Sequence, residues 1–257
     1  MRLYIIEMQG NWTHAWPSQQ ITFLGCSFKG DKTVSPGFFV VSIEVQAESD
    51  EDARSIGKER IEEACYFWEL CLGGSVYLRQ NQITIRPKGS PVAQGVVSAE
   101  LSATIYSANP PTPEDLRRIS DVESKIQQNP WLKRVIRWWG EGRRETDPID
   151  GFMKFWIAFE CLGRNMYETG ALRKERGSWL QRICEKVSNR FSRPGWFSHV
   201  QKILVQNNKE KERKLRRLYK DRSKILHAAY WSSTDAAKRA QDMQEFLERL
   251  LQNHLQL

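Results

Sequence analysis

Three prolines in four positions, Pro110, Pro111 and Pro113 of "SANPPTPEDLRRI", divide this chain. Proline fixes φ and carries no N–H, so no strand or helix runs through the stretch, while Thr112 or the acids behind Pro113 open a new helix. What precedes the break reads as strands around one helix, and everything after it reads as helix. The expected fold is α+β: a small α+β domain over residues 1–110, then an all-helical domain over 111–257.

Upstream, "RLYIIEM", "GFFVVSIEV" and "VVSAELSATIY" are rich in β-branched and aromatic residues, and "SVYLRQNQITIRP" reads as a strand or as a hairpin through Gln80-Asn81. Between them, Ser49 caps a helix with acids in its first turn, apolar residues from Ala53 to Leu72 recur near a 3.6-residue period, and Gly73-Gly74 ends it. This half offers no catalytic set; His14, among tryptophans, reads as a packing or surface residue. A sensor or adaptor that meets a protein or small-molecule trigger is the role left to it.

Downstream, periodicity predicts helices over 113–128, 130–140, 148–163, 177–190, 195–208, 210–229 and 234–255. The charge shifts at the same break. Residues 1–110 carry 9 Lys/Arg against 12 Asp/Glu, a net −3, and residues 111–257 carry 30 against 19, a net +11. No run approaches the roughly 18 apolar residues of a membrane span, and the apolar stretch of "MRLYIIEMQGNW" is too short for a secretory leader. A cytoplasmic protein with no membrane contact is expected. The five cysteines include no CxxC pair and lie mostly in apolar helical patterns, so they read as reduced packing residues, and neither a metal site nor a cofactor is expected.

"PIDGFMKFWIAFECLG" is apolar almost all round, as the central helix of a bundle would be. Its face Ile149, Phe152, Met153, Trp156, Phe159, Gly163 also carries Glu160, aimed at the interior or its rim. In "KEKERKLRRLYKDRSKILHAAYW", Leu215, Leu218, Tyr219, Ile225, Leu226 and Ala229 form an apolar stripe, and Arg222 stands where that stripe calls for another apolar group. An unpaired inward guanidinium costs several kcal/mol, so Arg222 requires a carboxylate, a phosphate or a wet cleft. Glu160 is the obvious carboxylate.

His227 follows Arg222 by five residues. Metal-free RNA cleavage needs a proton carrier titrating near neutrality, which is the imidazole range, and a fixed cation for the charge that builds on the phosphoryl oxygens, which a guanidinium fork fits. One helix supplies one histidine, whereas in-line transesterification uses an acid and a base; a symmetric dimer brings the second. Residues 209–224 hold nine Lys/Arg against three acids and suit a phosphate backbone, and Trp138 and Trp139 are aromatic enough to stack bases or fill a core.

"RSKILH", Arg222 to His227, resembles the R-x4-H motif of the HEPN domains, all-helical modules many of which are ribonucleases of toxin and antiphage systems. Together "LYKDRSKILHAA" and "FMKFWIAFECLG" look more narrowly like the Apea-like HEPN group. The resemblance spans roughly residues 113–257. It implies a HEPN-like helical bundle that dimerises so that two motifs share one cleft, with His227 as general acid/base, Arg222 on the phosphate and Glu160 holding Arg222. Lys214, Arg217, Lys220, Ser223, Lys224 and Tyr230 are the candidate RNA contacts. Ser223 stands where many ribonuclease members carry Asn, and Ala229 where some toxins carry a modifiable Tyr, the tyrosine here being Tyr230. The expected activity is a metal-independent endoribonuclease leaving a 2′,3′-cyclic phosphate. The alternatives are a non-catalytic binding or assembly module in which Arg222 and Glu160 are a structural pair, and a nucleotide-binding cleft.

Overall fold

A computed structural model describes residues 1–17, 19–31, 34–89, 94–95, 110–169, 195–205, 208–226 and 233–256. The described chain forms two compact units, Met1–Gln128 and Asn129–Leu257. The first is α+β and the second helical, in the expected order.

In the first unit, strands β1 (Arg2–Trp12), β2 (Ile21–Phe23), β3 (Cys26–Gly30), β4 (Phe38–Ala47), β5 (Val76–Pro87) and β6 (Gln94–Gly95) form one antiparallel sheet in the order β2-β3-β4-β1-β5-β6. Alternation places Tyr4, Ile6 and Met8 of β1 and Val41, Ile43 and Val45 of β4 on one buried face. Helix α1 (Asp50–Leu72) packs there through Ala53, Ile61, Ala64 and Trp68. Ser49 caps α1 by accepting the Asp52 N–H, as the sequence predicts, and Gly73 and Gly74 end it at φ +73°.

Two details of this unit are sharper in the structure than in the sequence. Of the two readings of "SVYLRQNQITIRP", a strand or a hairpin, the structure has the single strand: β5 pairs with β1 on both sides of Gln80-Asn81, with an irregularity in the register between Met8 and Gly10. The division of the chain falls after Gln128, one helix later than the prolines suggest. Helix α2 (Pro113–Gln128) buries Ile119, Val122 and Ile126 and packs on α1 and β2. Its Glu123 Oε1 accepts the N–H of Leu24 at 2.8 Å, in the β2–β3 turn where Leu24 and Gly25 both have positive φ. The strand expected in "VVSAELSATIY" lies outside the described residues.

The second unit contains α3 (Trp131–Arg144), α4 (Pro148–Glu168), α5 (Gly195–Val205), α6 (Lys209–Leu226) and α7 (Ser233–Leu255). Helix α4 is the central element, touched by all four others. Phe152, Phe155, Trp156, Phe159 and Leu162 make it the spine of the core, and Gly163 lets α5 approach so closely that a Cβ there would lie 2.6 Å from the Trp196 ring. The helix expected at 177–190 lies outside the described residues. Among the described residues no helix is long and apolar enough to cross a membrane.

Candidate functional site

The apolar stripe of α6 places Arg222. Leu215 and Leu218 are fully buried, Tyr219 packs 4.6 Å from Phe197 and 5.7 Å from Trp156, and Ile225 is half-buried. Arg222 lies on the same row with its side chain 30% exposed, at the edge of the bundle. Its Nη2 is 3.4 Å from Glu160 Oε2, and its Cζ is 5.8 Å from the centre of the Trp156 ring. The carboxylate picked out from the sequence is therefore the one that Arg222 meets.

Glu160 is held from three sides. Its Oε2 also accepts the Trp156 indole N–H at 3.1 Å, and its Oε1 accepts a short bond from Arg164. Trp156, Glu160 and Arg164 are spaced four apart on α4, which puts them in one line along the helix. The charge on Glu160 is thus divided between two guanidiniums, and Arg222 has the weaker share. Its Nε is buried with no hydrogen-bond partner among the described residues. A guanidinium has five N–H donors in a rigid fork, and a single long ion pair with one ring face leaves much of that capacity unused.

The other candidates separate by face. Lys214 is engaged by α7: its ammonium lies 2.7 Å from Asp242 and 3.3 Å from Glu245. Burial opposes its charge, but the bond to Asp242 and the field of Glu245 prevail and hold its pKa above the ordinary value. Arg217 and Lys220 are exposed, as is Lys224, which lies 3.8 Å from Asp221. Ser223 is half-buried, about 100° around the helix from Arg222. His227 and Tyr230 lie outside the described residues. Trp139 is no base platform: it is 2% exposed, its indole N–H donates to Glu248 at 3.0 Å, and Arg143 stacks on it.

One pair at this helix was not foreseen. Asp221, next to Arg222, is buried and meets Arg239 Nε of α7 at 3.0 Å. The hint in the sequence is that Asp221 flanks the row that Arg222 interrupts, while Arg239 and Asp242 interrupt the apolar stripe of α7. Opposite charges at matching interruptions of two helices are a pairing pattern.

No protein-family model, curated protein or solved structure matches the chain. Among the described residues no cluster of His, Cys, Asp and Glu is arranged to hold a metal ion.

Proposed function

We propose that the helical unit is a metal-independent endoribonuclease of HEPN type, working as a homodimer with a composite cleft in a toxin or antiphage defence system, with the sheet unit as its sensor or adaptor. The observation that carries this reading is the placement of Arg222: a guanidinium in an apolar row, at the bundle edge, restrained by Glu160 and Trp156 yet with its side chain 30% exposed. Restraint on one side and partial exposure on the other is what a phosphate-orienting arginine needs.

In the proposed reaction the 2′-hydroxyl attacks the adjacent phosphorus, the P–O2′ bond forms and the P–O5′ bond breaks. The products are a 2′,3′-cyclic phosphate and a 5′-hydroxyl. His227 of one protomer takes the 2′-hydroxyl proton, its counterpart gives a proton to the leaving oxygen, and Arg222 offsets the charge that grows on the phosphoryl oxygens.

A second reading is favoured by the triple hold on Glu160, which also suits a structural brace in a non-catalytic binding or assembly module. Incubation of the protein with total bacterial RNA in EDTA, beside His227→Ala, separates the two. Cleavage by the wild type alone with cyclic phosphate ends supports the nuclease, and intact RNA in both supports the module.

A further inference from the structure

Arg213, Arg217, Lys220 and Lys224 are all exposed on α6, at spacings of four, three and four residues. On a helix of 3.6 residues per turn they fall within an arc of about 60° and step along the axis by about 4.5–6 Å each, a straight ridge about 16 Å long. Arg222 points about 180° away from the middle of this arc. One phosphate cannot therefore touch both Arg222 and the ridge.

Among the described residues, three of the four ridge residues lack the carboxylate partner that several other helix cations have, while Lys224 has Asp221 at 3.8 Å. Lys58, Arg117, Arg137, Arg164 and Arg216 each meet a carboxylate three or four residues away. Among the described residues Arg213, Arg217 and Lys220 meet none. Of the acids of α6, Glu212 is held by Arg216 and Gln201, and Asp221 faces inward to Arg239 with Lys224 at 3.8 Å. Four like charges in line repel one another, and a regularly spaced polyanion relieves that repulsion.

We propose that this ridge is a second RNA-binding surface, separate from the Arg222–Glu160 site, which grips the phosphate backbone of a single-stranded segment away from the bond to be cut. This rests on the reading of the unit as one that acts on RNA. A membrane is the poorer partner, because an interfacial helix inserts its apolar face, and the apolar residues Leu215 and Leu218 of α6 are already buried in the bundle. A flexible single strand follows a convex ridge, and contacts to phosphate alone make the grip independent of sequence.

The test uses the full chain and a single-stranded 30-mer of 2′-O-methyl RNA, which has no attacking hydroxyl, so that binding is read apart from cleavage. The salt dependence of its affinity is compared for wild type, the ridge variant Arg217→Gln/Lys220→Gln, and Lys133→Gln/Lys238→Gln, which removes the same charge from exposed positions elsewhere. Each lost phosphate contact to a single strand lowers the slope of log K against log salt by about 0.7, so the ridge variant is expected to lose about 1.4 and the control nothing. Equal losses in the two variants, no loss in either, or wild-type binding to phosphatidylserine vesicles but not to the oligonucleotide would overturn the proposal. Intact natural RNA with the slope difference present would sink the nuclease reading and leave the ridge standing.

Discussion

The Arg239 guanidinium and the Asp221 carboxylate meet at 3.0 Å with side chains only 10% and 6% exposed, locking α6 to α7. Two turns back along α6 and one turn on along α7, the same helices are joined by Lys214 and Asp242. Removing one partner of a buried pair leaves the other charge stranded. Arg239→Ala is therefore expected to cost about 3–5 kcal/mol in a urea titration, and Arg239→Ala/Asp221→Ala is expected to recover part of that loss. A double variant no more stable than the single would show that the pair is not the cause.

Arg222→Ala is a different case, although the two charges are neighbours in sequence. Glu160 keeps Arg164 and the Trp156 indole when Arg222 is gone, so no carboxylate is stranded. The expected cost is about 1–2 kcal/mol, from one partly exposed ion pair and one cation–π contact. The proposed chemistry predicts a much larger effect on cleavage, about 100- to 1,000-fold. Arg222→Lys should keep the stability and still fail in cleavage, since an ammonium cannot reproduce the fork. A lysine variant with full cleavage would remove the arginine from the mechanism.

The difference between Arg222 and Asp221 also marks how far the sequence could be read. A lone arginine in the row Leu215, Leu218, Ile225 breaks a 3.6-residue period, and its carboxylate, Glu160, breaks the period of another apolar helix; both breaks are local and visible. Asp221 sits at the margin of the row, and its partner Arg239 lies on the next helix, where only a weak matching interruption of the apolar stripe points to it. The same limit applies to the sheet. Strands β1 and β4 show long alternation, whereas β2 and β3 are three and five residues long and turn on Leu24-Gly25, a pair without the usual Asn or Asp. The prolines 110–113 mark a break in the backbone, but a break does not say which core the next helix joins. That is decided by Ile119, Val122 and Ile126, and by Glu123 reaching the β2–β3 turn.

Cys26 is fully buried in β3, and its thiol donates to the Arg60 carbonyl at 3.8 Å. Burial pushes its pKa up to about 12, against a smaller opposing effect of Arg60. The thiolate is the reactive species, so at pH 8 almost none is present in the folded protein. Cys26 should resist a thiol-specific reagent in the native state and react at an ordinary rate in urea. Peptide mapping after labelling distinguishes it from the other cysteines, and rapid native labelling of Cys26 would mean that the sheet opens at this strand.

Glu145 follows α3 and closes the turn into α4, accepting Lys154 Nζ at 2.6 Å and the N–H groups of Thr146 at 3.0 Å and Asp147 at 3.4 Å. The bond to Lys154, with the Asp147 N–H next, holds its pKa below the ordinary carboxylate value, while the small burial opposes this. A folded pKa below the unfolded one means that the carboxylate stabilises the fold at pH above the unfolded value, about 4.3. That contribution fades as pH falls through the depressed folded value, where both states become protonated. Wild type should therefore be more stable than Glu145→Gln at pH 6, and the gap between their urea midpoints should narrow towards pH 3. A gap that stays constant over this range would show that the glutamate acts through packing, and that the charge on Lys154 is immaterial to the α3–α4 turn.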